Sequence, residues 1–269
     1  MDSAGRRQYL YHDAWRERRN REKFDRMLDF AAALGPLRAQ TTRCLGGDGL
    51  GRERVLSCAV RLLDLGFFRI GSEAYAEDNN TFGLATMLRS HVVLGDEYVV
   101  TFDYPAKGGE RRIQSVVDPE AFAVVRALKG RRAAGDELLA YKNGRRWVDV
   151  GSADINEFIQ ELTGGPFTAK DFRTWNATVL AASSLALLGP EAKSTTARKR
   201  VVSLAMQEVA RYLGNTPAVC RSSYVDPRVV DRFNAGQTVL GTLERLPLEL
   251  PEAERQLRIE QAVLRLLRA

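Results

Sequence analysis

Arginine, lysine and tyrosine side chains could together transfer a phosphoryl group without a metal ion. Such a reaction needs cations that hold the phosphate and absorb its growing charge, a nucleophile, and an acid for the leaving oxygen. The forked donors of arginine match phosphate oxygens, a lysine can supply the proton, and a tyrosine ester conserves the energy of the broken bond. The 269-residue chain holds 40 Lys and Arg residues and 8 tyrosines, so composition alone cannot select the reacting set.

Four segments place these residue types at defined spacings. Residues 170–175 read KDFRTW, and residues 213–217 read LGNTP, followed by RSSY at 221–224. Upstream, FRIG at 68–71 precedes NTFGL at 80–84, and GRRQY stands at 5–9.

In their order along the chain, the four segments resemble motifs of type IB DNA topoisomerases, most closely those of the poxvirus-like bacterial branch. The resemblance covers about residues 5–235. It implies the catalytic fold that these enzymes share with tyrosine recombinases, which is mainly α with a small three-stranded antiparallel β-sheet. It also implies a monomer that relaxes supercoiled double-stranded DNA by cutting, rotating and resealing one strand, with no metal, nucleotide or other cofactor.

The resemblance further implies a role for each matching residue. Tyr224 attacks a phosphodiester and forms a 3′-phosphotyrosyl intermediate, while Arg69 and Arg173 hold the non-bridging oxygens. Lys107, in a tight turn, protonates the departing 5′ oxygen, and Asn215 donates a hydrogen bond to a phosphate oxygen. Lys170 either assists the proton transfer or holds the DNA backbone. The residues expected to contact DNA are Lys170, Tyr75, Arg6, Arg7, Tyr9 and Tyr11.

Two departures from the family pattern affect these expectations. Histidine is common in the family where Asn215 stands, and asparagine keeps a neutral donor but cannot carry a charge. The chain also starts close to the segment that resembles the connection between the family's two domains. We therefore expect residues 1–12 to be a remnant of that linker and residues 13–269 to form the catalytic domain, without the N-terminal domain that covers the opposite face of the DNA.

Two other functions remain open at the level of sequence. A tyrosine recombinase or integrase has a similar catalytic set, but such enzymes typically show His-x-Leu-Arg-His where residues 170–174 read KDFRT. A non-catalytic DNA-binding module would use the cations for phosphate contacts and leave Tyr224 idle. By default Lys107 is an exposed turn lysine, and the cation-rich stretch 6–26 is either a solvated helix face or a DNA-facing arm.

Hydrophobic periodicity predicts the elements that must position these residues. A first helix around 24–31 is predicted to end at Gly35-Pro36, and a second to stop near Gly66. Alternating β-branched and aromatic residues predict strands at 92–94, 97–102 and 111–117. Further helices are predicted at 118–128, 154–163, 169–187, 191–212, 227–235 and 252–268. The expected result is an α-rich domain with one small sheet.

Composition agrees with a polyanionic partner. The net charge is +6 and the pI is about 9.4, and a basic balance favours nucleic acid through steering and counterion release. Cys44, Cys58, Cys220 and two histidines show no metal-ligand spacing, and there is no phosphate-loop signature for a nucleotide. We expect a soluble cytoplasmic protein that associates with the nucleoid, with no membrane span and no secretory signal.

Overall fold

The computed structural model describes residues 13–132 and 135–269, apart from the side chains of residues 13, 14, 16, 17, 74 and 75. The helices are α1 (Asp13–Leu45), α2 (Arg52–Gly66), α3 (Glu73–Asn79), α4 (Pro119–Lys129), α5 (Ser152–Thr163), α6 (Ala169–Leu188), α7 (Thr195–Leu213), α8 (Pro217–Ser223), α9 (Pro227–Asn234), α10 (Leu240–Leu243) and α11 (Glu252–Arg268). The strands are β1 (Val92–Leu94), β2 (Val99–Pro105), β3 (Arg111–Val117), β4 (Ala140–Asn143) and β5 (Arg146–Asp149).

Strands β1, β2 and β3 form an antiparallel sheet in that order, which confirms the predicted mainly α fold with a small three-stranded sheet. The β2–β3 hairpin has Pro105 opposite Arg111 and leaves Lys107 in the connecting turn. A second antiparallel pair, β4 with β5, was not predicted. Its signal was the Asn143-Gly144 turn, where Gly144 has a φ of 58°, because Asn-Gly is a strong hairpin indicator.

Helix α1 contradicts the prediction that it ends at Gly35-Pro36, since it continues through both residues to Leu45. A proline inside a helix removes one backbone hydrogen bond and costs about 3 kcal/mol. Leu34 and Leu37, on either side of Pro36, are both fully buried. Tertiary packing of this apolar face outweighs the local penalty, as it does for most helices in folded proteins.

Helix α6 forms the centre of the molecule and contacts α1, α2, α7, α9 and α11. It is buried on nearly all sides, as a helix inside a core must be, with Phe172 and Trp175 each about 1% exposed. The ring of Phe172 meets that of Phe30 from α1 edge-to-face, with centroids 4.8 Å apart. A polar side chain on α6 is therefore held in a rigid and water-poor environment.

Candidate active site

Tyr224 lies immediately after the short helix α8. The Thr216 side chain caps the start of α8 by accepting a hydrogen bond from the Val219 backbone N–H. At the other end, the Tyr224 N–H donates to the Cys220 carbonyl at 3.0 Å. The buried hydroxyl of Thr178 on α6 donates to the Tyr224 carbonyl at 3.3 Å. The tyrosine backbone is thus tied to α6, while its side chain is half-buried.

Arg173 projects from α6 beneath this tyrosine. Its guanidinium carbon lies 5.2 Å from the centroid of the Tyr224 ring, a cation–π distance. The residue is 4% exposed, and Nη2 donates to the Leu213 carbonyl at 3.0 Å and to Asn215 Oδ1 at 2.9 Å. Nη1 donates to the Phe67 carbonyl. The arginine therefore joins α6 to the chain segments that carry the other candidate residues.

Arg69 and Asn215 complete the group. Arg69 lies in the segment that follows α2, and its Nη2 donates to the Gly214 carbonyl at 2.7 Å and to Asn215 Oδ1 at 3.0 Å. The same amide oxygen also accepts from Arg173. Because a guanidinium can only donate, these two bonds orient the Asn215 amide with its oxygen towards the arginines and its NH₂ away from them.

The site concentrates positive charge. Burial lowers the pKa of Arg173, the proximity of Tyr224 opposes this shift, and the positive charge of Arg69 adds to it. Among the described residues, the buried Nε of Arg173 has no hydrogen-bond partner. A buried donor without a partner typically costs about 1–3 kcal/mol. A cluster of guanidiniums is suited to an anion with several oxygens.

Arg112 is a member of this neighbourhood that the sequence prediction missed. It lies on β3, on the same half-buried face as Gln114 and Val116. Its Nη2 donates to the Tyr212 carbonyl and its Nε to Gln114 Oε1 at 2.8 Å. The signal was available in the strand alternation, because a cation on the inward face of a strand requires partners.

Comparison with known proteins identifies the family of the chain. The family model described as "Eukaryotic DNA topoisomerase I, catalytic core" matches residues 12–239. The chain belongs to the type IB DNA topoisomerase family. This membership confirms the predicted family and enzyme class, an isomerase, and favours a topoisomerase over a tyrosine recombinase.

Individual relatives support the same assignment. DNA topoisomerase 1B of Acanthamoeba polyphaga mimivirus is 29% identical over 233 residues, which cover 83% of this chain and 68% of the relative. DNA topoisomerase 1 of Drosophila melanogaster is 32% identical over 143 residues, or 51% of this chain and 14% of the relative. DNA topoisomerase 1 of Candida albicans is 27% identical over 158 residues, or 58% and 19%. The chain therefore spans most of the viral relative but a small part of the two eukaryotic ones.

Lys107 is placed differently from Arg69, Arg173, Asn215 and Tyr224. It lies outside the four motif segments, and its prediction rests on its position in the hairpin and its spacing from Arg69. It is exposed in the β2–β3 turn, where Gly108 and Gly109 have φ values of 89° and 78°. The turn is closed by hydrogen bonds from the Ala106 N–H to the Glu110 carbonyl at 2.8 Å and from the Gly109 N–H to the Ala106 carbonyl at 2.9 Å. None of the contacts observed for the described residues joins Lys107 to the cluster around Arg173, so its catalytic role stays a prediction.

Lys170 lines a cavity of about 710 Å³ between α1, α6 and α8. Lys23 and Ser223 line the same cavity, and the Lys23 ammonium donates to the Ser223 carbonyl at 3.1 Å. Burial, together with the positive charge of Lys170, lowers the pKa of Lys23 to about 8, although Asp226 opposes the shift. Two ammonium groups thus face one cavity next to the backbone of Ser223, the residue before Tyr224.

The remaining residues expected to contact DNA cannot be placed. Arg6, Arg7, Tyr9 and Tyr11 lie outside the described residues, as does the side chain of Tyr75. The proposed division of the chain after residue 12 also stays a prediction. Within residues 13–132 and 135–269, no helix has both the length and the apolar character that crossing a membrane requires.

Proposed function

We propose that this type IB topoisomerase relaxes supercoiled double-stranded DNA by cutting one strand with Tyr224 and resealing it. The observation that carries the proposal is the position of the Arg173 guanidinium over the Tyr224 ring, 5.2 Å from its centroid. The same cluster holds Arg69 and Asn215. The cluster thereby combines a nucleophile with two guanidiniums and an oriented amide donor. These are the parts that metal-free phosphoryl transfer requires.

The proposed first step is attack of the Tyr224 phenolic oxygen on a backbone phosphorus. The bond from phosphorus to the 5′ oxygen breaks, a 3′-phosphotyrosyl ester forms, and the phenolic proton passes to solvent. Lys107 supplies a proton to the departing 5′ oxygen. Resealing is the reverse: the 5′ hydroxyl attacks the ester and releases the tyrosine, after torsion has rotated the cut strand around the intact one.

The cationic residues stabilise the crowded phosphorane between these two states. The donors of Arg69 other than Nη2 are the groups that would meet the non-bridging oxygens, and Arg173, whose Nε is buried without a described partner, would add its positive charge. The Asn215 Oδ1 is occupied by both arginines, so its NH₂ group is the part of the amide presented to the phosphate. This orientation accounts for a donor role that asparagine shares with the family's histidine.

The energy of the phosphodiester is kept in the tyrosyl ester, so the proposed reaction uses no nucleotide and no metal ion. We expect the purified chain to relax a supercoiled plasmid in the presence of EDTA and in the absence of ATP. Gel electrophoresis of the topoisomers over time measures the rate, and added ATP should leave it unchanged. Loss of relaxation in EDTA that magnesium restores would contradict this mechanism.

The same plasmid test separates the proposal from a tyrosine recombinase. A recombinase would exchange strands between two copies of a specific site and would not relax a plasmid that lacks it.

The proposal includes action as a monomer on DNA, in the cytoplasm of a bacterium and associated with its nucleoid. These features rest on the resemblance to the poxvirus-like bacterial branch and on the DNA substrate.

We also propose that Lys170 contacts a DNA phosphate from the cavity that it shares with Lys23. Replacing Lys170 by Gln should weaken binding to duplexes of any sequence and reduce the slope of log affinity against log salt by about one. Fluorescence anisotropy at several salt concentrations measures both quantities. Lys193→Gln, which removes an exposed lysine next to Glu191, is the control for loss of one charge, and identical slopes for wild type and Lys170→Gln would refute the contact.

A further inference from the structure

Three arginines bind consecutive carbonyl groups at the end of α7. The carbonyls of residues 212, 213 and 214 accept hydrogen bonds from Arg112, Arg173 and Arg69 respectively, at 3.0 Å for Arg173 and 2.7 Å for Arg69. The last carbonyls of a helix have no intrahelical partner and carry partial negative charge. The next residue is Asn215, which therefore directly follows the carbonyls that these three cations bind.

Arg112 differs from the other two in having no direct contact with Asn215 among its observed hydrogen bonds. Its Nε is bound to Gln114 Oε1 at 2.8 Å, and the same oxygen accepts from the Tyr104 hydroxyl at 2.8 Å. Its Nη1 lies over Gly214, where a β-carbon would stand only 2.3 Å away. The Arg112 guanidinium therefore connects the β2–β3 hairpin to the end of α7.

Gly214 is required for this contact. It has a φ of 63°, in the left-handed region that favours glycine, and it ends α7 with an N–H bond to the Ala210 carbonyl at 2.9 Å. Because glycine lacks a side chain, the Arg112 guanidinium can lie directly against the turn. The turn between α7 and α8 is thus clamped from the side of the sheet as well as from α6.

Arg112 is placed there in spite of an electrostatic cost. Burial lowers its pKa; the nearby Tyr104 opposes that shift, and the positive charge of Arg69 adds to it. A half-buried cation next to other cations is retained only if its hydrogen bonds compensate. Its hydrogen bonds go to Gln114 on β3 and to the Tyr212 carbonyl on α7, so Arg112 connects these two elements.

We propose that Arg112 is a positioning residue for the cleavage reaction: it holds the end of α7 so that Asn215 presents its NH₂ group to the scissile phosphate. This inference rests on the proposed function and adds a residue that no family motif used above contains. Displacements of about 1 Å in a catalytic group can reduce a rate by about 10²-fold. A looser turn should therefore slow cleavage while DNA binding is kept.

The kinetic test is a double-mutant cycle with Asn215, measured as single-turnover cleavage of a suicide duplex at saturating enzyme. We expect Arg112→Met to slow cleavage about 10-fold to 30-fold in wild-type background but less than about 3-fold in Asn215→Ala background. The affinity for DNA and its salt slope should not change. Arg112→Lys keeps the charge but cannot reach Gln114 and Tyr212 at once, so it should restore only part of the rate.

A second measurement, amide hydrogen exchange in the free protein, tests whether Arg112 holds the turn after α7 without requiring any reaction. The N–H groups of Gly214 and Asn215 both donate to the Ala210 carbonyl, and hydrogen exchange reports how often these bonds open. Arg112→Met should speed exchange at these two amides several-fold. Arg111→Met is the matched control, because Arg111 is the exposed neighbour on β3 that pairs with Asp103 on the other face, and it should change neither exchange nor cleavage.

The outcomes separate three cases. Equal slowing in both backgrounds, complete rescue by Arg112→Lys, or a salt slope reduced by about one would each overturn positioning, and the last would indicate a direct phosphate contact. Unchanged hydrogen exchange at Gly214 and Asn215 would also overturn it. Failure of the wild-type chain to form any covalent adduct would contradict the proposed function, and the exchange measurement would still decide whether Arg112 holds the turn.

Discussion

Replacement of Tyr224 by Phe should abolish the covalent adduct between this chain and DNA. The substitution removes one oxygen, which is the proposed nucleophile, and keeps the ring whose centroid lies 5.2 Å from the Arg173 guanidinium carbon. The backbone bonds to Cys220 and Thr178 are unaffected. We expect a reduction in adduct of at least about 10⁴-fold, because a nucleophile has no substitute in a covalent mechanism.

A suicide duplex with a 5′-labelled strand that loses its short 3′ leaving fragment measures this. The adduct is resolved from free DNA on a denaturing gel, and peptide mapping identifies the modified tyrosine. Tyr212→Phe is the matched control: Tyr212 is an exposed tyrosine at the end of α7, and it is its backbone carbonyl, not its hydroxyl, that Arg112 binds. Adduct formation by Tyr224→Phe would show that another residue is the nucleophile.

DNA binding by Tyr224→Phe separates catalysis from recognition. The variant should bind duplexes as tightly as wild type, since the cations around the site are intact. If wild type binds DNA but forms no adduct with any suicide substrate, the non-catalytic DNA-binding module becomes the better account. If wild type forms the adduct and Tyr224→Phe does not, that account is excluded.

Sequence was sufficient to predict most members of the candidate cluster, because they lie in short motifs. Arg69, Arg173, Asn215 and Tyr224 were selected by resemblance, and the structure brings all four together. The distances among them could not be predicted, since they depend on how α6, α8 and the segment after α2 pack. The shared acceptor Asn215 Oδ1, which sets the direction of the amide, is visible only in three dimensions.

Arg112 and Lys107 belong to the same hairpin, and both show the limit of motif-based prediction. Arg112 matches no motif, and its role follows from the inward face of β3 and from contacts with residues about 100 positions further along the chain. Lys107 was selected by its place in the hairpin, and the structure confirms the turn without bringing the side chain to the cluster. A residue at an exposed turn is not fixed by packing, so neither the motifs nor the core tie the Lys107 side chain to the cluster.

The fold was predictable where local pattern and tertiary packing agree. The three strands follow from the alternation of residue types, although β2 begins at Val99 and not at the predicted Glu97, because Glu97 and Tyr98 have positive φ values of 52° and 63°. Helix α6 covers the predicted range 169–187. The continuation of α1 through Pro36 does not follow from the sequence pattern, because a strong local helix-breaking signal is overridden by burial of Leu34 and Leu37. The short helix α8 was missed although Thr216-Pro217 is a good start signal, since its seven residues are too few for periodicity to reveal.

Replacement of Arg173 by Ala should lower the rate of strand cleavage by about 10³-fold or more. Removal of a single donor that stabilises transition-state charge typically costs about 10²–10³-fold, and Arg173 is expected to contribute a full positive charge. Because the residue is 4% exposed, little water can take over its task. Single-turnover cleavage at saturating enzyme isolates this effect from changes in affinity.

The substitution also affects the fold, and the two effects must be separated. Arg173→Ala leaves the carbonyls of Phe67 and Leu213 without the bonds that they now accept, and we expect a loss of stability of about 1–3 kcal/mol for each unsatisfied buried group. Thermal unfolding measures that loss, and cleavage is then compared well below the melting temperature. Arg211→Ala, which removes an exposed arginine paired with Glu208 on α7, is the control for loss of one positive charge.

Arg173→Lys distinguishes charge from geometry at the same position. A lysine keeps the positive charge but cannot donate at once towards the Leu213 carbonyl, Asn215 Oδ1 and a phosphate oxygen, as the fork can. If geometry matters most, Arg173→Lys should remain at least about 10²-fold slower than wild type, and Asn215→Ala should then have little further effect because its amide is already misoriented. Cleavage by Arg173→Ala at the wild-type rate would remove this arginine from the mechanism and leave Arg69 as the only guanidinium of the proposed pair to act on the phosphate.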